Sequence, residues 1–153
     1  MSSIEIRKAQ DDDLPVMQDI ACRTIDNCYR PFLGDESVNW FISSGESDRE
    51  LEKHIDNCDV LLKNGVAAFA LYFDGLIHLM MVDVRLHRGG IGSALLEDVE
   101  KQLFASGKST IRLETFEGNC QAINFYLKNG WTETSRQKDM ENDFIRVLFE
   151  KNI

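Results

Sequence analysis

The residues from Val82 to Ser93 decide the fold, and they read VDVRLHRGGIGS. Residues 76–84 are mostly apolar and predict a strand, whereas the residues after the glycines repeat with the period of an amphipathic helix. A glycine-rich turn therefore joins a strand directly to a helix. Such a turn exposes backbone N–H groups beside the partial positive charge of a helix N-terminus, a combination that binds phosphate oxygens.

The glycines alone are a weak signal, because a tight strand-to-helix connection without a ligand would also use them. Two nucleotide-binding motifs are excluded. The turn has no Gly-Lys-Ser/Thr sequence, which a Walker A loop requires. The dinucleotide fingerprint G-x-G-x-x-G follows the first strand of a parallel unit, whereas here the match stops at Gly92 and antiparallel hairpins are predicted before it.

The pattern on both sides of the turn alternates strands and helices. Asn64-Gly65 and Asp74-Gly75 are typical of hairpin turns, and three acids before Pro15 mark the start of a first helix. A long amphipathic helix starts at Ile91 and ends at Gly107. The predicted strands cover residues 4–8, 59–63, 66–73, 76–84, 109–116, 131–137 and 144–150, one or two short helices fall within 35–58, and a last helix covers 119–129.

These elements predict one mixed α/β domain over residues 1–153, because no linker or repeat divides the chain. Its 153 residues are 43% hydrophobic, which is enough to build a core. The chain has no apolar run of about 18 residues and does not begin with a secretory signal pattern. We therefore expect a cytoplasmic protein without a membrane partner.

Charge restricts the expected partners. The chain has 26 Asp and Glu against 17 Lys and Arg, a net charge of −9. Such an acidic protein repels nucleic acid and anionic membranes, and it attracts cationic small molecules or basic peptides. The four cysteines form no CxxC pair and have no histidines at metal-binding spacing, so we expect reduced thiols and no metal. They are Cys22, Cys28, Cys58 and Cys120.

A second motif lies in residues 117–131, which read EGNCQAINFYLKNGW. Helical spacing places Asn119, Ile123 and Tyr126 on one face. An asparagine and a tyrosine on an otherwise apolar face need polar partners. This segment adds a second candidate site to the glycine-rich turn.

Together the two motifs resemble the GNAT superfamily of acyl-CoA-dependent N-acyltransferases. Its signatures are Arg/Gln-x-x-Gly-x-Gly/Ala after the fourth strand and Asn-x-x-Ala-x-x-Phe/Leu-Tyr-x-x-x-Gly-Phe/Trp, which match residues 87–92 and 119–131. His87 replaces the usual Arg or Gln, and Val84 replaces a frequent proline. The likeness is specific over residues 76–134. It implies a mostly antiparallel mixed sheet of six to seven strands, splayed after the fourth strand and flanked by about four helices.

The resemblance also implies an enzyme that moves the acetyl group of acetyl-CoA to a primary amine by direct attack in a ternary complex. The backbone of Val82 and Val84 would pair with the pantetheine arm, and an N–H near Val82 would polarise the thioester carbonyl. Asn119 would contact the pantetheine. Tyr126 would protonate the departing thiolate, unless its hydroxyl only has a structural partner. The diphosphate would contact His87, Arg88, Gly89, Gly90, Ile91, Gly92 and Ser93.

Glu114 is the preferred general base, directly or through water. Its Leu-Glu-Thr setting resembles the Leu-Glu-Val of relatives that acetylate ribosomal-protein N-termini, in which the glutamate is the base. Alternatively, Glu114 is a surface residue paired with Arg112 or a lysine. Asp83, His78 and water are the rival bases, and a structural role is the commoner one for a strand histidine such as His78.

Acceptor selection is expected within residues 20–60, and its residues stay open. Tyr29, Phe32, Trp40 and Phe41 offer an aromatic lining there, although Trp40 and Phe41 could equally belong to the core. The acceptor is a small-molecule amine or a peptide or protein amino group. The alternative function is a non-catalytic acyl-CoA-binding sensor. Dimers are common among the relatives, so a homodimer is among the expected states.

Overall fold

The computed structural model describes residues 3–86, 90–139 and 144–152, in which seven strands form one sheet. The strands are β1 (Glu5–Lys8), β2 (Cys58–Leu62), β3 (Val66–Phe73), β4 (Leu76–Val82), β5 (Thr110–Phe116), β6 (Thr132–Lys138) and β7 (Ile145–Asn152). Their order in the sheet is β1-β2-β3-β4-β5-β7-β6. All neighbours are antiparallel except β4 and β5, which are parallel.

The described residues also form six α-helices and three short 3-10 turns. The helices are α1 (Leu14–Cys28), α2 (Arg30–Leu33), α3 (Asp35–Ser44), α4 (Glu46–Lys53), α5 (Ile91–Ala105) and α6 (Cys120–Lys128). The 3-10 turns are Asp11–Asp13, Ile55–Asn57 and Val84–Leu86. The predicted mixed α/β fold is confirmed. The helices outnumber the predicted four because Gly34 and Gly45, both at positive φ, divide the segment after α1 into short helices.

Two hydrophobic cores lie on opposite faces of the sheet. One joins the sheet to α5 and α6 and includes Leu95, Leu113 and Tyr126. The other joins it to α1, α3 and α4 and includes Met17 and Leu51. Strand β3 contributes alternate residues to both cores, which explains why its sequence VAAFALYF is almost wholly apolar.

A bulge at His78 interrupts β4. Leu71 of β3 pairs with Leu79, and the next residue, Tyr72, pairs with Ile77, so His78 is the extra residue. Pairing between β4 and β5 is limited to two positions, and the second of them ends at Ile77. A bulge bends its strand and increases the local twist. The predicted splay after the fourth strand is therefore confirmed, and it begins at His78.

Strand β4 ends earlier than the sequence predicts. We expected it to reach Val84, and this expectation is wrong, because Val84 lies in the 3-10 turn after Val82. The side chain of Asp83 accepts a hydrogen bond from the Arg85 N–H (3.0 Å), and its carbonyl accepts one from the Leu86 N–H (2.8 Å). These local bonds compete with extended structure and turn the chain.

Helix α2 packs against the turn between β5 and α6. A Cβ added at Gly118 would lie 2.2 Å from the Cβ of Phe32, a contact that only glycine permits. The ring of Phe32 packs against Tyr29 and Phe116, with ring centroids 5.2 Å and 5.9 Å away. This contact holds the end of α1 next to β5.

Replacing Gly118 with alanine should lower the free energy of unfolding by about 1–3 kcal/mol, because the new methyl group overlaps Phe32. Urea unfolding measures the loss. The same substitution in a Phe32→Gly chain, which lacks the opposing Cβ, should cost less. Equal costs in the two backgrounds would show that this contact does not limit the packing of α2.

Candidate active site

The first turn of α5 carries the N–H groups of a helix start. Gly90 precedes the helix in the left-handed region (φ 74°), and its carbonyl accepts the N–H of Ala94 (3.1 Å). The N–H groups of Ile91, Gly92 and Ser93 therefore have no carbonyl one turn earlier in the helix. No acidic residue lies in this first turn. The predicted contacts His87, Arg88 and Gly89 lie outside the described residues.

Gly92 allows a close approach between elements at this point. A Cβ there would lie 3.3 Å from the ring of Phe125 in α6 and 3.6 Å from Val82 in β4. The contact with Phe125 is tight, the one with Val82 is an ordinary van der Waals contact, and the backbone of Gly92 itself is helical. The glycine is thus explained by packing, whereas Gly90 is explained by its backbone conformation.

The backbone of β4 beyond the bulge faces the gap. The N–H of Asp83 donates to the carbonyl of Ala67 in β3 (2.8 Å). Backbone directions alternate along an antiparallel ladder, so the groups of Met80 and Val82 point away from β3, toward β5. An extended ligand chain entering the gap would meet this edge of β4.

A cleft occupies the gap between β4 and β5 and brings the predicted residues together. Tyr126, Glu114, Asn119 and His78 all line it. Tyr29 lines it too, from the end of α1. The remaining lining residues are Ile77, Leu79, Met80, Met81, Leu113, Thr115 and Ala122.

Tyr126 is buried beneath this cleft. Its ring packs against Phe125, Trp131 and Phe149, with centroids 5.2–6.0 Å away. Burial raises its pKa far above the usual value, and the nearby Tyr29 raises it further, so the hydroxyl is protonated at neutral pH. Among the described residues the Tyr126 hydroxyl has no hydrogen-bond partner. These residues therefore do not support the alternative that the Tyr126 hydroxyl only forms a structural hydrogen bond.

Glu114 is exposed at the edge of the cleft. Arg112, which we considered as its partner, instead donates to Glu150 across β5 and β7 (3.1 Å). In the described part of the chain Glu114 forms no ion pair. The alternative of an Arg112–Glu114 pair is therefore wrong, and the carboxylate is available to the cleft.

His78 is held by stacking. Its ring lies 4.2 Å from that of Phe73, whose other neighbour is His54 at 5.2 Å. Partial burial lowers the pKa of His78, and the charge of His54 lowers it further, which favours the neutral imidazole at pH 7. Three carboxylates raise the pKa of His78, and they belong to Glu50, Asp74 and Glu114.

Asp83 is an ion-pair centre and a poor base. It is 3% exposed, and its carboxylate accepts hydrogen bonds from the guanidinium groups of Arg85 (2.7 Å) and Arg23 (3.0 Å). The hydrogen bond from Arg85 is the main cause that keeps the pKa of Asp83 well below its usual range. A carboxylate held this way takes up a proton only in strong acid, so Asp83 is unsuited to act as the general base.

The side chain of Asn119 caps a helix. Asn119 lies before α6 rather than within it, and its Oδ1 accepts the N–H of Ala122 (3.3 Å). Its amide group borders the cleft. We expected Asn119, Ile123 and Tyr126 to share a helix face, and the cap position of Asn119 changes that interpretation.

The aromatic residues before β2 divide into two groups. Tyr29 and Phe32 form a cluster with Phe116, a residue that the sequence did not single out. Trp40 (59% exposed) and Phe41 (39% exposed) lie on the surface of α3, so a core role for them is wrong. Phe116 was missed because a strand-end aromatic resembles any core residue in sequence.

Two features are absent from the described residues. No group of three or more His, Cys, Asp or Glu residues could hold a metal ion there. No helix within those residues is long and apolar enough to cross a membrane.

Comparisons with known proteins agree on one family. The profile of the acetyltransferase (GNAT) family matches residues 29–131. The PaiA N-acetyltransferase of Thermoplasma acidophilum, solved in complex with coenzyme A, is 22% identical over 99% of both chains, with a TM-score of 0.81. A GCN5-related N-acetyltransferase of Rhodopseudomonas palustris is 17% identical over 100% of this chain and 98% of that chain (TM-score 0.85). At these identities the structures show a shared fold.

Glu114 and His78 should interact through the cleft. Replacing Glu114 with glutamine should lower the pKa of His78, because the negative charge of Glu114 stabilises the imidazolium ion. An NMR titration of the histidine rings measures this value. Glu150→Gln is the matched control, since Glu150 is also on the sheet but pairs with Arg112. If the pKa of His78 were the same in the parent and both variants, Glu114 and His78 would not interact electrostatically.

Proposed function

Because the chain belongs to the GNAT acetyltransferase family, we propose that it transfers the acetyl group of acetyl-CoA to a primary amine by direct attack in a ternary complex. One observation carries the proposal. A protonated, buried tyrosine, Tyr126, and an exposed carboxylate without an ion pair among the described residues, Glu114, line the same cleft in the gap between β4 and β5.

The residues around the gap fit the donor. The N–H groups at the start of α5 provide positive partial charge without a competing acid, which suits a diphosphate. In the proposal His87, Arg88 and Gly89 extend this contact. In the proposal the pantetheine amides pair with the backbone of Met80, Val82 and Val84, and Asn119 contacts the pantetheine.

The proposed reaction is a direct transfer of the acetyl group from sulfur to nitrogen. The amine nitrogen forms a bond to the acetyl carbon, and the bond from that carbon to sulfur breaks. Glu114, directly or through water, takes a proton from the nitrogen, and the hydroxyl of Tyr126 gives a proton to the departing sulfur. An N–H on the β5 side of β4, near Val82, would donate to the carbonyl oxygen as negative charge develops there. Tyr126 then regains a proton, and Glu114 releases the one it took, by exchange with solvent.

The acceptor determines how much work the base must do. At pH 7 a lysine-like amine (pKa near 10.4) is neutral at a cost of about 4.6 kcal/mol, whereas an α-amino group (pKa near 7.8) costs about 1 kcal/mol. The net charge of −9 favours a cationic acceptor, and both classes of amine satisfy this. One similar structure is a ribosomal-protein alanine N-acetyltransferase of Escherichia coli (21% identical over 99% of this chain and 94% of that chain, TM-score 0.71).

The test is an acceptor screen. The protein is incubated with acetyl-CoA and a panel of polyamines, amino acids, aminoglycosides and peptides with free N-termini, and thiol release is recorded. Acetylation of at least one amine is the expected result. Binding of coenzyme A by calorimetry without turnover on any of these amines would favour the sensor function instead.

Tyr126→Phe should lower kcat by at least about tenfold and leave the affinity for coenzyme A nearly unchanged, because it removes only the proton donor. Tyr29→Phe is the matched control. Its hydroxyl belongs to the same cleft and its pKa is also raised, to about 12, by burial. Equal activity of Tyr126→Phe and the parent would remove Tyr126 from the reaction.

Glu114→Gln should slow acetylation of lysine-like amines by about 100-fold or more, the range of general base catalysis. Amines of lower pKa should lose less, because more of each amine is already neutral. The loss should also shrink as pH rises toward the pKa of the amine. Glu150→Gln should retain full activity. If the loss were the same for every amine at every pH, Glu114 would not be the base.

A further inference from the structure

A buried carboxylate holds two guanidinium groups at the point where β4 ends. Asp83 accepts hydrogen bonds from Arg85 Nε (3.1 Å), Arg85 Nη2 (2.7 Å) and the Arg85 N–H (3.0 Å). From α1, Arg23 donates through Nη1 (3.0 Å) and Nη2 (3.4 Å). Arg23 is fixed in turn by Asp19, whose carboxylate lies 2.7 Å from its Nη2.

This group of charges, the Asp83 clamp, joins the two sides of the site. Its residues are Asp19, Arg23, Asp83 and Arg85. Asp19 and Arg23 belong to α1, which ends beside Tyr29 in the cleft. Arg85 belongs to the 3-10 turn Val84–Leu86, through which the chain leaves β4 on its way to α5.

We propose that Asp83 is a positioning residue for acetyl-CoA, because its clamp holds the end of β4, where Val82 packs beside Gly92 in the turn of N–H groups that starts α5. The inference rests on the proposed function, since it assumes that these N–H groups bind the donor. Asp83 acts through the turn and does not contact the reacting atoms.

Geometry and charge predict opposite effects of removing this carboxylate. Asparagine at position 83 would leave Arg85 without its carboxylate partner and Arg23 with Asp19 alone. The site would lose one negative charge, and Coulomb attraction alone would tighten the binding of coenzyme A. Loss of the clamp instead releases Arg23 and Arg85 toward solvent and leaves the turn without its anchor. The direction of the change in affinity therefore distinguishes the positioning role from a simple charge effect.

The chain contains a matched control, the ion pair of Asp13 with Arg7. Asp13 is 8% exposed and accepts two hydrogen bonds from Arg7 (2.8 and 3.1 Å) and one from the Gln10 N–H (2.8 Å). It thus repeats the chemistry of Asp83. It lies before α1, at the end of that helix away from Tyr29.

Asp83→Asn and Asp13→Asn are compared with the parent by calorimetry with coenzyme A, by steady-state kinetics and by thermal unfolding. We expect Asp83→Asn to raise the Kd for coenzyme A and the KM for acetyl-CoA about tenfold, with kcat changed less than about twofold. Asp13→Asn should lower the Tm to a similar extent but leave the Kd unchanged. The pKa of Asp83 is held so low that its effect should be constant from about pH 6 to about pH 9.

An unchanged or lower Kd for Asp83→Asn would overturn the positioning role, as would an equal rise in Kd for Asp13→Asn. Should Asp83→Asn fail to fold, Arg23→Lys decides, because it keeps the positive charge and loses the two-nitrogen contact that links α1 to Asp83. A higher Kd for that variant supports the proposal, and an unchanged Kd overturns it. A parent protein that does not bind coenzyme A would overturn the proposed function itself, which is a separate result.

Discussion

The separation of β4 from β5 is the constraint on which the site depends. Parallel neighbours normally continue their hydrogen bonds along both strands, yet these two pair only up to Ile77 and Leu113. The bulge at His78 follows at once and bends β4 away. The core beneath α5 and α6 includes residues of β3, β4, β5 and β7, so the two halves of the sheet stay joined although their strands separate. Because β4 and β5 stop pairing there, one edge of β4 faces the gap inside the molecule and not a neighbouring strand.

Local features of this fold could be predicted from the sequence. Asn64 and Asp74 have positive φ, as the hairpin dipeptides predict, and the long helix begins after Gly90. The strand and helix order also followed from periodicity. Val84 was assigned wrongly because the side chain of Asp83 competes with extended structure, an effect that a hydrophobic pattern does not contain.

Contacts between distant residues could not be predicted. Arg23 and Asp83 are 60 positions apart, and nothing in either neighbourhood indicates their pair. The approach of Phe32 to Gly118 likewise depends on how α2 lies against the sheet. Motif likeness identified Tyr126 and Glu114, but the burial of the first and the exposure of the second come from tertiary packing. The sequence therefore predicts residue types at the site better than their environments.

The environments matter because the two candidate proton carriers belong to opposite faces of the sheet. Leu113 points into the core beneath α5 and α6, so its neighbour Glu114 points to the other face. Tyr126 belongs to α6 and lies on the first face. In a continuous sheet, backbone hydrogen bonds would separate the two side chains. The gap lets both line one cleft. In the proposed reaction the amine would therefore lose its proton on the face of Glu114, and the departing thiolate would gain one from Tyr126 on the other face.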